Sequence, residues 1–163
     1  MTLTSRAELG TVFGRRFRHA ARLPPRELVT TARVLAVMMI VELSIRWVPL
    51  PRLSRLLGVR VDLTSSRPGA VPMPLDDMPP GARRQLRCTR RVADAWPFSR
   101  GPCLRRALVG GHLIRRLGPA VRIGVSGGGA EVLAHAWLEL EGRPLESLAG
   151  FTPFQQTSTS GTG

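Results

Sequence analysis

Gly101-Pro102-Cys103-Leu104 is the stretch that decides the fold, because it places a cysteine in the first turn of a predicted helix. Pro102 holds a backbone conformation that suits a helix start, apolar residues follow at helical spacing, and Gly118 is placed to end the helix. The unpaired amides and positive dipole end of a helix N-terminus stabilise a thiolate, the form that a nucleophilic cysteine requires. Cys103 is therefore a candidate nucleophile, although a cysteine at such a place is more often structural.

Two predicted strands follow this helix. Alternation of apolar and polar residues indicates strands at about 120–125 and 131–140. On the second strand His135, Trp137 and Glu139 share one face, and alanine and leucine side chains share the other. We expect the apolar face to pack on the core, which directs His135 and Trp137 toward the N-terminus of the Cys103 helix. A cysteine-bearing helix followed by antiparallel strands that carry a histidine predicts an α+β fold of the papain and transglutaminase kind.

The rest of the chain contains a helical region, a linker and a tail. Helical spacing of apolar residues predicts one helix from Pro24 to about Trp47 and a shorter one that ends at Gly58. The first of these is apolar on nearly all sides, so we expect it to be buried in the domain or to contact a protein partner or a membrane surface. The predicted division is a helical region at 1–61, a Pro/Gly-rich linker at 62–80, a functional domain that carries Cys103 and His135 at 81–155 and a disordered tail at 156–163.

Composition narrows the functional classes. The 163 residues, 43% of them hydrophobic, suffice for one domain with a sizeable core. The net charge is +13, but every basic residue is an arginine, a bias typical of GC-rich coding, and no nucleic-acid-binding motif accompanies it. Two cysteines are too few for a disulfide framework or a usual zinc site, which favours a cytoplasmic location with no cofactor. The longest apolar run, residues 34–41, is too short to span a membrane.

Four ordered blocks, at 101–108, 113–118, 121–125 and 134–145, resemble the stand-alone leader peptidases of lasso-peptide biosynthesis, a bacterial family with a transglutaminase-like fold. The resemblance covers residues 83–154 and, loosely, 24–58. It implies a cysteine peptidase that removes the leader from a ribosomally synthesised precursor peptide. It also implies two partners, a small leader-recognition protein and a separate cyclase that receives the core. Acyl transfer to an amine and non-enzymatic binding of peptides or nucleic acid are the alternative functions.

The resemblance makes Cys103 the nucleophile and His135 the base, but it leaves the third catalytic residue open. The family places an aspartate 12 residues after the histidine, where this chain has Ser147. If residues 141–142 form a two-residue hairpin turn, Glu146 shares the face of His135 on a diagonal across the ladder. An odd-length loop or a bulge would present Ser147 instead. Glu139 is a further candidate, and a dyad without a carboxylate is the remaining alternative.

The oxyanion hole is less defined by the sequence. The amide of Cys103 is one candidate donor, and the indole N–H of Trp96 or Trp137 is the second, although packing around the site is the favoured role of both tryptophans.

Overall fold

The computed structural model describes residues 24–62, 71–97, 102–127, 132–146 and 152–153. Within these ranges the chain has an α+β fold, which confirms the predicted class. Short 3-10 turns lie at Leu75–Asp77 and Arg115–Leu117. The helices are α1 (Pro25–Ser44), α2 (Leu50–Leu57), α3 (Pro80–Asp94) and α4 (Cys103–Leu113), and the strands are β1 (Arg60–Asp62), β2 (Ala120–Gly127), β3 (Val132–Leu140), β4 (Arg143–Pro144) and β5 (Thr152–Pro153).

Proline begins three of the four described helices. Pro24, Pro49 and Pro79 precede α1, α2 and α3 in an extended conformation, and each helix has another proline within its first two positions. Because the first amides of a helix lack an intrahelical partner, the missing N–H of proline costs nothing there. Predicted and observed helix starts therefore agree closely. The end of α1 differs, since residues 45–47 form turns instead of continuing the helix.

The described strands form one sheet in the order β1-β2-β3-β4, and β5 lies beside β2 along the same edge as β1. β2 and β3 pair antiparallel from Ala120 opposite Glu139 to Gly127 opposite Val132. β1 pairs parallel with β2, so the sheet is mixed, where the sequence predicted antiparallel pairs only. Three residues are too few to show a strand period, and for that reason β1 was not predicted.

Two glycines allow α4 to lie close to the sheet. A Cβ on Gly110 would lie 3.0 Å from Leu138 Cδ1, and one on Gly111 would lie 2.9 Å from Val59 Cγ1. Contacts this short are rare for real Cβ atoms, so a larger residue at either position would require the neighbouring side chain or the helix to shift. α4 is thus held against the face of β3 that carries Leu138.

The N-terminal helices share a core with the rest of the fold. Val34, Met38 and Val41 of α1 belong to the same buried cluster as Leu108 and Val109 of α4. The inner face of α1 is therefore a core face, in line with one of the two roles expected from the sequence. Within the described ranges no helix combines the length and apolarity needed to cross a membrane.

Candidate active site

A tight turn sets the register of the strand that follows β3. Glu141 and Gly142 both have positive φ angles, 54° and 75°, as a two-residue type I′ hairpin requires. β4 then pairs with β3 so that Pro144 lies opposite Glu139, and the amide of Leu145 donates to the carbonyl of Leu138 at 2.9 Å. Of the alternatives that the sequence left open, the structure thus has the two-residue turn, whose parity puts residue 146 on the side of His135.

Glu146 contacts both the histidine and the cysteine-bearing helix. Its Oε1 lies 3.5 Å from Nε2 of His135, and its Oε2 accepts a hydrogen bond of 2.5 Å from Nη2 of Arg106. Arg106 follows Cys103 by three residues and so lies almost one helical turn further along α4. A continuous chain of contacts, from Arg106 through Glu146 to His135, therefore joins the first turns of α4 to the strand that carries the histidine.

Cys103 is the first residue of α4, as predicted, and its half-buried side chain packs against the edge of the main core. The neighbouring Arg105 anchors this end of the helix to α1, because its Nε donates to Oε2 of Glu42 at 2.5 Å. The Arg105 hydrogen bond holds the pKa of buried Glu42 below its usual range, although burial opposes that shift. Trp96 also donates to this carboxylate through its indole, at 3.3 Å. The position of Cys103 thus depends on a buried ion pair.

Glu139 has a different environment. Its Oε1 accepts from the indole of Trp137 at 3.1 Å, and its Oε2 accepts from Nε of Arg122 at 2.8 Å. Arg122 also pairs with Asp62 of β1 at 2.7 Å, so this cluster ties three strands together. Glu139 is only 2% exposed and is bound on both oxygens, so the geometry favours Glu146 over Glu139 as the partner of His135.

Trp137 lies beside His135 and is fully buried. The two rings stack with their centroids 6.1 Å apart and an angle of 17° between their planes. The face of β3 that carries His135 is thus covered at Trp137 and Glu139, where the sequence placed the core on the other face alone. The body of α4 packs on the opposite face, against Leu138, and its link to His135 runs through Arg106 and Glu146.

The other sequence candidates have structural partners or lie outside the described residues. Trp96 and Trp137 are the candidate oxyanion donors, and each donates its indole N–H to a carboxylate, which fits the packing role. His112 in α4 contacts the carbonyl of Leu57 through Nδ1 at 2.8 Å, and buried Cys88 packs between helices near the hydroxyl of Thr31. Ser147 lies outside the described residues.

Arg106 is the site residue that sequence reasoning missed. The only sequence signal for Arg106 is its three-residue spacing from Cys103, and this signal does not stand out in a chain with 24 arginines. Beside the Arg106–Glu146 pair lies a cavity of about 70 Å³ with a mainly apolar wall that includes Leu86, Ala107 and Leu145. Within the described ranges, no group of histidine, cysteine and acidic side chains has the arrangement of a metal site.

The chain thus has a helix that begins at a cysteine and packs on a small sheet, and that sheet carries a histidine with a carboxylate beside it. In a comparison with sequence models of protein families, the transglutaminase-like superfamily matches residues 39–159, well over half of the chain. The chain therefore belongs to that superfamily, whose members are typically cysteine peptidases or acyltransferases. Comparison with curated proteins and with solved structures found no significant match.

Proposed function

We propose that this chain is a cysteine peptidase that cleaves the leader from a ribosomally synthesised lasso precursor peptide. The observation that carries the proposal is the contact chain from Arg106 through Glu146 to His135, which links the first turns of the Cys103 helix to the histidine strand. A carboxylate beside a histidine, on a fold of this superfamily, supports a base that is oriented and charge-stabilised. The four sequence blocks that resemble leader peptidases support the choice of substrate.

In the proposed reaction the Cys103 thiolate attacks the carbonyl carbon of the last leader residue. His135 takes the thiol proton and passes it to the nitrogen of the leaving amine, which becomes the N-terminus of the core. The leader remains on Cys103 as a thioester. Water then adds to the thioester carbonyl and gives its proton to His135, and the C–S bond breaks to release the leader acid and the thiol.

Glu146 stabilises the imidazolium that forms each time His135 holds the extra proton. Arg106 is a positioning residue, because it binds the second oxygen of the carboxylate and so restricts the rotation of the Glu146 side chain. The arginine also repels the imidazolium, so its effect on the reaction is the difference between better orientation and weaker charge stabilisation.

The proposed partners are the precursor peptide, a small leader-recognition protein and the cyclase that receives the core, all in the cytoplasm. The amine released on cleavage supplies the nucleophile for ring formation, so hydrolysis and cyclisation are consecutive. The resemblance to the leader peptidases supports these partners.

The test is incubation of the full chain with a leader–core precursor, with and without the recognition protein, followed by mass spectrometry of the products. Wild type is expected to release leader acid and free core, and Cys103→Ala is expected to release neither. Cys88→Ala is the matched control, because this thiol is buried between helices and is expected to leave turnover intact. Processing by Cys103→Ala would rule out the proposal. Leader joined to an added amine would indicate acyl transfer to amines. Absence of cleavage by wild type, together with salt-dependent binding that His135→Ala leaves unchanged, would favour a non-enzymatic role.

A further inference from the structure

The helix α1 has a second apolar face, opposite its core face. Here large apolar side chains are exposed to solvent over nearly the whole length of the helix. Just beyond the helix end, in the turn that follows, Trp47 is 86% exposed. We define the outer face of α1 as these residues: Leu28, Val29, Leu35, Met39, Ile40, Leu43 and Trp47.

The arrangement of the outer face is not that of scattered surface residues. At ~100° per residue, the six members within α1 fall in a sector of ~140° that contains no charged residue of the helix, and Trp47 follows in the turn after the helix end. Contiguous exposed apolar surface of this kind marks a binding site more often than isolated exposed side chains do. We therefore expect a binding partner to cover the outer face when the protein is functional.

The charges at the border of the outer face are positive. Arg26 and Arg33 are exposed along one side, and Arg46, with 64% of its side chain exposed, lies at the end beside Trp47. The glutamates of α1 lie outside the sector, and Glu42 among them is buried under its arginine partners. The surrounding field has the same sign, since the net charge of the chain is +13.

We propose that the outer face of α1 binds an anionic lipid membrane surface, with the helix lying in the plane of the interface. A single straight helix presents a convex ridge, and the fluid boundary between headgroups and acyl chains can cover all of it. Trp47 has the amphipathic ring that partitions to headgroup depth, and the bordering arginines are placed to meet lipid phosphates.

A second copy of the chain is a poorer occupant, because packing two outer faces together would bring Arg26, Arg33 and Arg46 of both copies to one border. A partner protein would need a long apolar groove with an acidic rim. The test below distinguishes a second copy and a partner protein from a membrane surface.

The proposal is tested by co-sedimentation of the full chain with vesicles of phosphatidylglycerol and phosphatidylethanolamine, and with vesicles of phosphatidylcholine alone. Wild type is expected to bind the anionic vesicles and to bind them more weakly at high salt. Little binding to the neutral vesicles is expected. The triple variant Ile40→Ser/Leu43→Ser/Trp47→Ser is expected to lose at least ~10-fold in partition coefficient. Its control is Val71→Ser/Leu117→Ser, which removes exposed apolar side chains elsewhere.

The charge contribution is tested by Arg26→Gln/Arg33→Gln, with an expected loss of ~5-fold per arginine. The control, Arg87→Gln/Arg91→Gln, removes the same charge from the exposed side of α3 and is expected to cost much less. The proposal is overturned if the triple variant partitions like wild type, or if both arginine pairs cost the same, because binding would then be a general effect of the net charge. It is also overturned if light scattering shows a dimer that the triple variant dissociates, or if wild type fails to bind anionic vesicles.

Discussion

Glu146→Gln removes the negative charge beside His135 with little change in shape, so it isolates the electrostatic part of the proposed mechanism. Nε2 of His135 and Oε1 of Glu146 lie 3.5 Å apart, so for the imidazolium that forms during the reaction, Coulomb's law with a dielectric constant between ~80 and ~20 gives an attraction of ~1 to ~5 kcal/mol. The side chains are 19% and 28% exposed, so the effective dielectric lies inside these limits. We therefore expect kcat to fall by a factor between ~10 and ~10³.

The assay is the rate of core release at saturating precursor and fixed pH, quantified by mass spectrometry. Glu141→Gln is the matched control, because that glutamate is exposed in the hairpin turn and is expected to leave kcat unchanged. Thermal unfolding should show little difference between Glu146→Gln and wild type, because partly exposed ion pairs contribute ~0–1 kcal/mol to stability. A kcat for Glu146→Gln within twofold of wild type, together with a large loss in Ser147→Ala, would refute the assignment.

Three further predictions concern positioning, pH and packing. Arg106→Gln should lower kcat by ~10-fold, with partial recovery in the lysine variant, if orientation of the carboxylate outweighs repulsion of the imidazolium; a rate above wild type would contradict the positioning role. The pKa of Glu42 is lower in the folded protein than its ordinary value of 4.5, so the stability it contributes is complete above about that pH and declines as the pH falls through the folded value. In urea titrations near neutral pH, Glu42→Gln should therefore be less stable than wild type by ~1.5–3 kcal/mol. This difference should become smaller as the pH is lowered, and a difference that does not change with pH would contradict the prediction. Gly111→Ala should cost ~1–3 kcal/mol in the same titrations, because its new Cβ would lie 2.9 Å from Val59, whereas Gly81→Ala, with no atom within 4 Å, should be neutral or stabilising.

Local sequence signals predicted much of the fold. Proline pairs mark the starts of helices, and the spacing of apolar residues marks their inner faces, because both depend on neighbours along the chain. If the Glu-Gly pair at 141–142 forms a two-residue turn, strand parity puts residue 146 on the side of His135, and the structure has that turn. The short parallel strand β1 depends on an edge of β2 that is far away in sequence, and no local pattern revealed it.

The candidate site shows the same division. The sequence by itself determined that Cys103 begins a helix, because caps are local properties, and it left Glu146, Ser147 and Glu139 open as partners of His135. Only the tertiary structure decided that Glu139 is occupied by Trp137 and Arg122, whereas Glu146 meets His135. The role of Arg106 also required the fold, since an arginine gains a specific partner only when packing brings a particular carboxylate within reach of its fork.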